Sequence, residues 1–266
     1  MSAAFDHIAG NYDESFVNSP TGRLQRKVVW QYLEKVLKER PSLEILELGC
    51  GTGEDAIRLA RMGHKVIATD ISPEMIRMAS SKMKDAPIHG SLQFDILDMR
   101  EAVNRFSEAG FDLIFSDFGA MNCVSADDLK ELFTNISPLL KPGGRIIAVI
   151  MPRFCLWEMA YFTLKLKFGQ IFRRNRKGGL MVRIDSSEVS TWYYSPEDIR
   201  RLASGRFKVR KIMPVGISLP PSYLDPYFRK HPRFLDLLDR LEHLFSGCRY
   251  PASFSDHYLI DLEVKS

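Results

Sequence analysis

The segment 43–70 has the pattern of a strand, a glycine-rich turn, a helix and a second strand. Residues 43–48 form a short apolar run, which fits a buried strand of a parallel sheet. Four apolar residues then fall on one helical face: Ala56, Ile57, Leu59 and Ala60. Gly63 stops that helix, and the next apolar run, 64–69, ends on Asp70. The segment therefore predicts one unit of an α/β fold.

Three glycines define the turn between the first strand and its helix. Gly49, Gly51 and Gly53 remove side chains where the backbone bends, so a ligand can approach the main chain beside the free N–H groups of a helix N-terminus. Asp70 lies 21 residues after Gly49, at the carboxyl end of the neighbouring predicted strand. A carboxylate there can accept hydrogen bonds from both hydroxyls of a ribose. The turn therefore predicts a ligand with an adenosine-like end.

The residues around the turn distinguish two classes of ligand. Dinucleotide sites use G-x-G-x-x-G to bring a helix N-terminus to a pyrophosphate. This chain instead has G-x-G-x-G, preceded by Glu47 and followed by Glu54 and Asp55. Negative charge at this place repels a pyrophosphate and favours a cationic or zwitterionic ligand.

The motifs ELGCGTG at 47–53 and ATDIS at 68–72 resemble those of class I S-adenosylmethionine-dependent methyltransferases, of the type that acts on small molecules. The resemblance implies S-adenosyl-L-methionine as the cofactor. It also implies that an acid and the glycine loop pass under the methionine and ribose parts of the cofactor, in roles that fall on Glu47, Gly49, Gly51 and Gly53. Asp70 then binds the ribose hydroxyls, with Ile71 beside it.

The amino terminus carries a second point of resemblance. The opening F-D-x-I-A-x-x-Y-D at 5–13 is similar to the segment that many small-molecule methyltransferases fold over the cofactor, which makes Tyr12 a candidate lid residue. The alternative is that Phe5, Ile8 and Tyr12 only pack a terminal helix.

Two further strands end in candidate site residues. For the strand near 92–96 the resemblance implies that Asp95 contacts the adenine amino group and Ile96 the ring, with Asp98 as the competing acid. The strand 111–116 ends at Asp117, in the loop where this class of enzyme faces the transferred methyl group. The loop reads Ser-Asp-Phe-Gly and not Asn/Asp-Pro-Pro-Tyr, which argues against methylation of a base or glutamine amine.

The order of elements predicts an α/β fold with a doubly wound, Rossmann-like sheet of seven strands. Five βα units, a sixth strand at 207–215 and an antiparallel last strand at 257–264 make up this sheet. The expected divisions are 1–152 for the N-terminal helices and the cofactor-binding half, and 153–194 for a cap after the fifth strand. The part from 195 to 266 completes the core and carries a second cap insertion, at about 219–254.

The two caps are rich in aromatic residues, and the first is also basic. A substrate pocket is expected from eight of these: Phe154, Trp157, Tyr161, Trp192, Tyr193, Tyr223, Tyr227 and Phe228. Across 151–180, seven Lys or Arg residues face one acid, Glu158, for a local charge of 7 − 1 = +6. The basic residues are explained by a solvated helix face, a substrate lid, an anionic-substrate patch or a weak interfacial contact with a membrane.

Composition argues against several other classes of protein. A net charge of +4 makes no general case for nucleic-acid binding, and the four cysteines lack metal-ligand spacing, so no metal is expected. No run reaches the ~18 apolar residues of a membrane span, and the amino terminus lacks a signal-peptide core. The expectation is a cytoplasmic protein, and nothing in the sequence sets its oligomeric state.

The sequence-based hypothesis is a methyltransferase acting on a small aromatic or hydrophobic acceptor. Alignment of the reactants supplies much of such catalysis, and if a general base is used, His231, His257 and Asp117 are the candidates. One alternative is a tRNA or protein methyltransferase that docks through the basic segment 165–177. The alternative from another class is a regulatory protein that binds the cofactor without catalysis.

Overall fold

The computed structural model describes residues 2–38, 40, 42–84, 87–106, 110–176, 178–184, 187–228, 230–245, 248 and 250–265, without the side chains of residues 2, 3, 223 and 226. Its strands are β1 Glu44–Leu48, β2 Lys65–Asp70, β3 Ser91–Ile96, β4 Phe111–Ser116, β5 Leu140–Ile150, β6 Leu180–Ile184, β7 Ser187–Thr191, β8 Phe207–Val215 and β9 His257–Val264. Its α-helices are α1 Ser2–Tyr12, α2 Pro20–Leu37, α3 Glu54–Arg61, α4 Pro73–Lys84, α5 Ala102–Arg105, α6 Ala126–Ile136, α7 Leu156–Leu164, α8 Pro196–Ala203, α9 Asp225–Phe228 and α10 Pro232–Phe245.

Seven of the strands form one sheet in the order β3-β2-β1-β4-β5-β9-β8. The strands β1 to β5 are parallel to one another, whereas β9 runs antiparallel to both β5 and β8. The predicted seven-stranded, doubly wound sheet with an antiparallel last strand is confirmed. The order reverses between β1 and β4, which is the switch point where such sheets open a crevice for a ligand.

Hydrophobic residues cover both faces of this sheet. One core cluster joins the apolar faces of α2 and α3 to β1, β2 and β4, and the other joins α6 and α8 to the opposite face of β1, β4, β5 and β9. The central strands β1 and β4 are therefore buried on both faces, which is why their sequences are mostly apolar. The edge strand β3 has no fully buried residue, and its sequence alternates.

Three local features complete the description of the fold. The amino-terminal segment forms the helix α1 and a following π-helical turn, Asp13–Val17. The unit after β3 has only the four-residue helix α5, which is shorter than the helix expected in a βα unit. Residues 142–144 lie inside β5, where the pairing with β4 shifts register. Among the described residues, no helix is long and apolar enough to cross a membrane.

The two segments expected to form caps are anchored to the core by buried polar contacts. The β6–β7 hairpin is antiparallel and is held by Asn122, whose side-chain amide donates to the carbonyls of Met151 and Trp192 at 3.1 and 2.6 Å. In the second segment, the Glu242 carboxylate of α10 accepts four backbone N–H bonds of 2.7–3.3 Å from residues 216–219. The limits assigned to the domains and caps stay predictions.

Candidate functional site

Three residues of the glycine loop have a left-handed backbone conformation. Gly49, Gly51 and Gly53 have φ values of 77°, 53° and 76°. A Cβ on Gly49 would lie 2.4 Å from Cβ of Ala120, so this glycine is also required by packing. A Cβ on Gly51 meets nothing nearer than the Tyr12 ring, at 3.7 Å. Gly51 is therefore the glycine that faces the space between the loop and the amino-terminal segment.

Asp70 is fixed beside this loop by main-chain donors. Its two carboxylate oxygens accept N–H bonds from Gly51 and Ser72, both at 2.9 Å. Burial raises the pKa of the carboxyl group, and these hydrogen bonds partly oppose that effect. Ile71 is partly exposed next to it. The carboxylate is thus already positioned at the edge of the sheet where the sequence placed it.

Glu47 is the most isolated acid of the site. Its side chain points into the protein from β1 and the residue is 1% exposed. Oε2 is buried and has no hydrogen-bond partner among the described residues. Burial, and then the charges of Asp55 and Asp117, raise the pKa of Glu47 well above its usual value. A buried oxygen without a partner is costly, so it marks a place prepared for a donor or a cation.

Arg26 on α2 enters this cluster and was missed by the sequence analysis. Its guanidinium pairs with Asp55, and Nη1 lies 3.4 Å from Asp117. Burial disfavours ionised Asp55, but Arg26 and hydrogen bonds, one of 2.7 Å from the Trp30 indole, hold its pKa below the usual value. Burial and the charge of Asp55 raise the pKa of Asp117. Because one guanidinium serves both Asp55 and Asp117, the cluster contains more carboxyl groups than positive charges.

The amino-terminal segment closes over the loop, as the lid hypothesis requires. Asp13 pairs with Lys82 on α4 and lies 2.5 Å from the Thr52 hydroxyl in the loop. Asp6 accepts a hydrogen bond of 2.5 Å from Ser72. Tyr12 lies between these anchors, and burial raises its pKa to about 12. Ile8 and Ala9 pack with Met75 of α4, and Phe5 and Tyr12 lie against this cluster, as the packing alternative expects. The role of Tyr12 as a lid stays a prediction.

The residues assigned to the adenine lie on the next strand. Ile96 is aligned with Asp70 in the sheet and is 59% exposed. Asp95 is aligned with Thr69, and its carboxylate accepts hydrogen bonds from Gln93 and Arg105. Asp98 is bound by the backbone and guanidinium of Arg100. Both acids have protein partners, and the adenine contacts stay a prediction.

The base candidates lie in different environments. The imidazole Nδ1 of His257, at the start of β9, lies 3.2 Å from an Asp256 oxygen, and its ring packs edge-on against Phe118, 5.3 Å between centroids. Phe118 follows Asp117 and has a φ of 32°. His231 is exposed, and the structure shows no contact that joins it to the acidic cluster.

Asp256 also connects the site to the first cap. Arg174 donates to Asp256 and Glu158 at 2.9 and 2.8 Å, and Arg173 forms two hydrogen bonds with Glu158. Arg174 is only 5% exposed. Two of the basic residues proposed as a docking surface at 165–177 therefore form internal ion pairs.

Ring contacts among the described residues join the members of the expected aromatic pocket in separate groups, and the pocket itself stays a prediction. Trp157 packs edge-on against Phe228, whereas Phe154 packs against Phe172 and Phe254. Other members are separated from these contacts: Tyr193 lies under Arg174, and Tyr227 is 60% exposed. The side chain of Tyr223 lies outside the described residues.

A comparison with known protein families covers the strands and the glycine loop that carry Glu47, Asp70 and Asp117. Residues 45–144 match a family model described as a methyltransferase domain. The chain contains a class I methyltransferase domain. The family predicted from the glycine loop is thereby confirmed, and S-adenosylmethionine is the cofactor of this class.

Relatives of the methyltransferase domain act on different acceptors. The chain is 32% identical over 142 residues to a tRNA 5-carboxymethoxyuridine methyltransferase of Escherichia coli (strain K12), and the alignment covers 53% of each protein. It is 29% identical over 201 residues to the ubiquinone/menaquinone biosynthesis C-methyltransferase UbiE of Geotalea daltonii, covering 73% of this chain and 78% of that one. The alignment thus spans about half the length of the E. coli relative.

Solved structures share the fold of the methyltransferase domain. The PH0226 protein of Pyrococcus horikoshii OT3 superposes with a TM-score of 0.62 at 18% identity, over 97% of this chain and 98% of that one. Magnesium protoporphyrin IX methyltransferase of Synechocystis PCC 6803, with bound SAH, gives 0.59 at 16% identity, over 100% and 95%.

The described residues fit a sulfonium cofactor. The Glu47 oxygen without a partner and the raised pKa values of Glu47, Asp70 and Asp117 indicate a pocket with more carboxyl groups than cations. The open side of Gly51 leaves room for a ligand at the main chain. A phosphate group would instead need positive charge that Arg26, paired with Asp55, does not supply.

Proposed function

We propose that this protein is an S-adenosylmethionine-dependent methyltransferase whose acceptor is a small aromatic or hydrophobic molecule. The observation that carries the proposal is the group of buried carboxyls Glu47, Asp70 and Asp117 at the carboxyl edge of the sheet, beside Arg26, which is already paired with Asp55. The cofactor supplies an electrophilic methyl group on a positively charged sulfonium. A pocket of this charge attracts such a ligand and disfavours a dinucleotide.

Each residue of the site has a specific task in this proposal. Asp70 accepts the ribose hydroxyls while its bonds to Gly51 and Ser72 hold it in place. Glu47 stabilises the positive end of the cofactor. Tyr12 closes over the loop and excludes water, held by the contacts of Asp13. Asp95 and Ile96 are the adenine contacts in the proposal.

The acceptor side is built from the loop after β4 and the first residues of β9. Alignment of an acceptor with the methyl group contributes most of the rate enhancement, since well-oriented reactants reach effective molarities of ~10⁵ M or more. If the acceptor must lose a proton, His257 is the better placed base, because its ring packs against Phe118 in the loop after β4 and its Nδ1 lies 3.2 Å from Asp256. His231 is too exposed to be favoured.

Methylation of a nucleic acid is the second candidate function, because the E. coli relative is a tRNA methyltransferase. The internal pairing of Arg173 and Arg174 weakens it, because it removes two charges from the docking surface this candidate needs. A protein that binds the cofactor without turnover is the third candidate.

One calorimetric comparison followed by a turnover assay tests the proposal. We expect micromolar binding of S-adenosylmethionine and no binding of NAD. Phenols, carboxylates, amines and quinols are then supplied as acceptors, and S-adenosylhomocysteine is measured. Preferential NAD binding refutes the proposal. Turnover only with tRNA, with affinity that falls steeply in salt, supports the second candidate, and cofactor binding without turnover on any acceptor supports the third.

A further inference from the structure

The turn after α7 presents large apolar side chains to solvent. We define the cap tip as residues 164–172. Leu164, Leu166 and Phe168 are 83%, 74% and 62% exposed, and Phe172 is 56% exposed. Single exposed apolar side chains are common on protein surfaces, but four within nine residues form a patch that marks a binding surface.

The cap tip has a fixed backbone. The N–H of Leu166 bonds the Thr163 carbonyl at 3.0 Å, and that of Lys167 bonds the Phe162 carbonyl at 2.8 Å. Leu166 has a φ of 55°, a conformation that is unfavourable for any residue with a side chain. Immediately after the tip, Arg173 pairs with buried Glu158. The apolar side chains are therefore held outward by structure on both sides of the tip.

The positive charge around the cap tip favours some binding partners over others. Residues 159–184 contain no Asp or Glu and seven basic residues: Lys165, Lys167, Arg173, Arg174, Arg176, Lys177 and Arg183. Lys165 and Lys167 alternate with the apolar side chains of the tip, and both residues are exposed. A second copy of this chain would bring the same positive charges to the contact, which disfavours self-association through the tip.

We propose that the cap tip docks on an anionic lipid bilayer. Leu164, Leu166 and Phe168 enter the boundary between head groups and acyl chains, and Lys165 and Lys167 contact anionic head groups. A bilayer accepts a protruding tip without a complementary pocket, whereas a protein partner would need one. The inference does not depend on the methyltransferase activity, because it concerns only lipid binding by the cap.

Vesicle flotation tests the proposal with the full chain. The probes are vesicles of phosphatidylcholine alone and vesicles with added phosphatidylglycerol. We expect the protein to bind the phosphatidylglycerol vesicles and to be released by salt. The variant Leu164→Ser/Leu166→Ser/Phe168→Ser is expected to bind at least about tenfold more weakly, since burial of apolar area and attraction to anionic lipid both set the affinity. The variant Lys165→Glu/Lys167→Glu is expected to lose the preference for phosphatidylglycerol.

Two matched variants control for general effects. Met62→Ser removes an apolar side chain that is 42% exposed at the end of α3, and Lys38→Glu reverses an exposed charge at the end of α2. Both should bind vesicles as the wild type does. Absence of binding to phosphatidylglycerol vesicles, equal binding to phosphatidylcholine alone, or unchanged binding of a folded triple variant overturns the proposal. A dimer that the triple variant loses also overturns it, and assigns the tip to a second copy.

Discussion

The guanidinium of Arg174 donates a hydrogen bond of 2.9 Å to the carboxylate of Asp256. The first residue belongs to the segment after α7 and the second immediately precedes β9. Asp256 in turn lies 3.2 Å from His257, whose ring packs against Phe118 in the loop after β4. The position of the first cap and the position of the candidate base are therefore coupled through one buried carboxylate.

Replacing Asp256 should be strongly destabilising. Asp256→Asn removes one carboxylate from a buried ion-pair network and leaves Arg174 with Glu158 as its ionised partner, so we expect a loss of about 3 kcal/mol, the low end for a broken buried pair, in the free energy of unfolding. Urea unfolding at pH 7 measures it. Glu74→Gln, which removes only an exposed pair with Arg77, should change stability little and is the control.

The pair of Asp256 and Arg174 also predicts a dependence of stability on pH. Although burial opposes ionisation, His257 and Arg174 hold the pKa of Asp256 well below its usual 3.8. A lowered folded-state pKa stabilises the protein above the unfolded pKa, and this contribution is lost as the pH falls through the folded value. The stability difference between the wild type and Asp256→Asn should therefore shrink on acidification below about 4. A constant difference would contradict the assignment.

Glu47 should destabilise the protein without ligand and strengthen its binding of the cofactor. Its pKa is raised, so the folded protein retains a proton above the usual value of 4.5 and stability falls as the pH rises beyond it. Glu47→Gln should therefore have a higher melting temperature at pH 8 without ligand. Its affinity for S-adenosylmethionine should fall by about 1.5–3 kcal/mol, the value of a hydrogen bond to a charged group. Glu54→Gln, at an exposed neighbouring acid, is the control for both measurements.

Cofactor binding should release protons. The pKa values of Glu47 and Asp117 are raised by burial and neighbouring acids, and a bound cation lowers them again. The affinity should therefore increase with pH between the usual and the raised pKa values of these groups. Calorimetry in buffers of different ionisation enthalpy counts the protons, and Glu47→Gln should release fewer. A binding enthalpy that is the same in every buffer would refute the proposed linkage.

The fold and the cofactor loop were predictable because their signals are local. An apolar run, a glycine turn and a helical face occur within the stretch 43–70, and the acids that end two further strands follow from the same reasoning. The parallel sheet then brings Asp70 and Ile96 into register without any further information.

The contacts that complete the site were not predictable because they join distant residues. Arg26 reaches Asp117 across 91 positions, and Arg174 reaches Asp256 across 82. An arginine within an amphipathic helix has the same sequence pattern whether it faces solvent or a buried acid. The number of basic residues at 151–180 likewise overestimates the positive charge of the surface, because the Arg174 side chain is buried.

Asp70→Ala should weaken cofactor binding through two effects. Each of the two ribose hydrogen bonds that are lost costs about 1.5–3 kcal/mol, and the N–H groups of Gly51 and Ser72 lose their acceptor as well. Asp70→Asn keeps one oxygen and should show a smaller loss of affinity. Calorimetric titration with S-adenosylmethionine compares the three proteins. Wild-type affinity in a folded Asp70→Ala variant would refute the assignment of this residue.

Asp13 should control the opening of the amino-terminal lid. Asp13→Ala removes the ion pair with Lys82 and the contact with the Thr52 hydroxyl, so α1 loses its link to the glycine loop. Chymotrypsin reports this opening, because Tyr12 and Phe16 lie in the segment and no Lys or Arg precedes Arg23. We expect cleavage to be about tenfold faster, as the loss of ~1.5 kcal/mol from a charged hydrogen bond gives. Glu14→Ala removes an exposed neighbouring charge and should leave the rate unchanged.

Saturating S-adenosylmethionine should slow cleavage of the wild type more than cleavage of Asp13→Ala, because Tyr12 closes over the same loop. Equal protection of the two proteins would mean that the lid closes without Asp13.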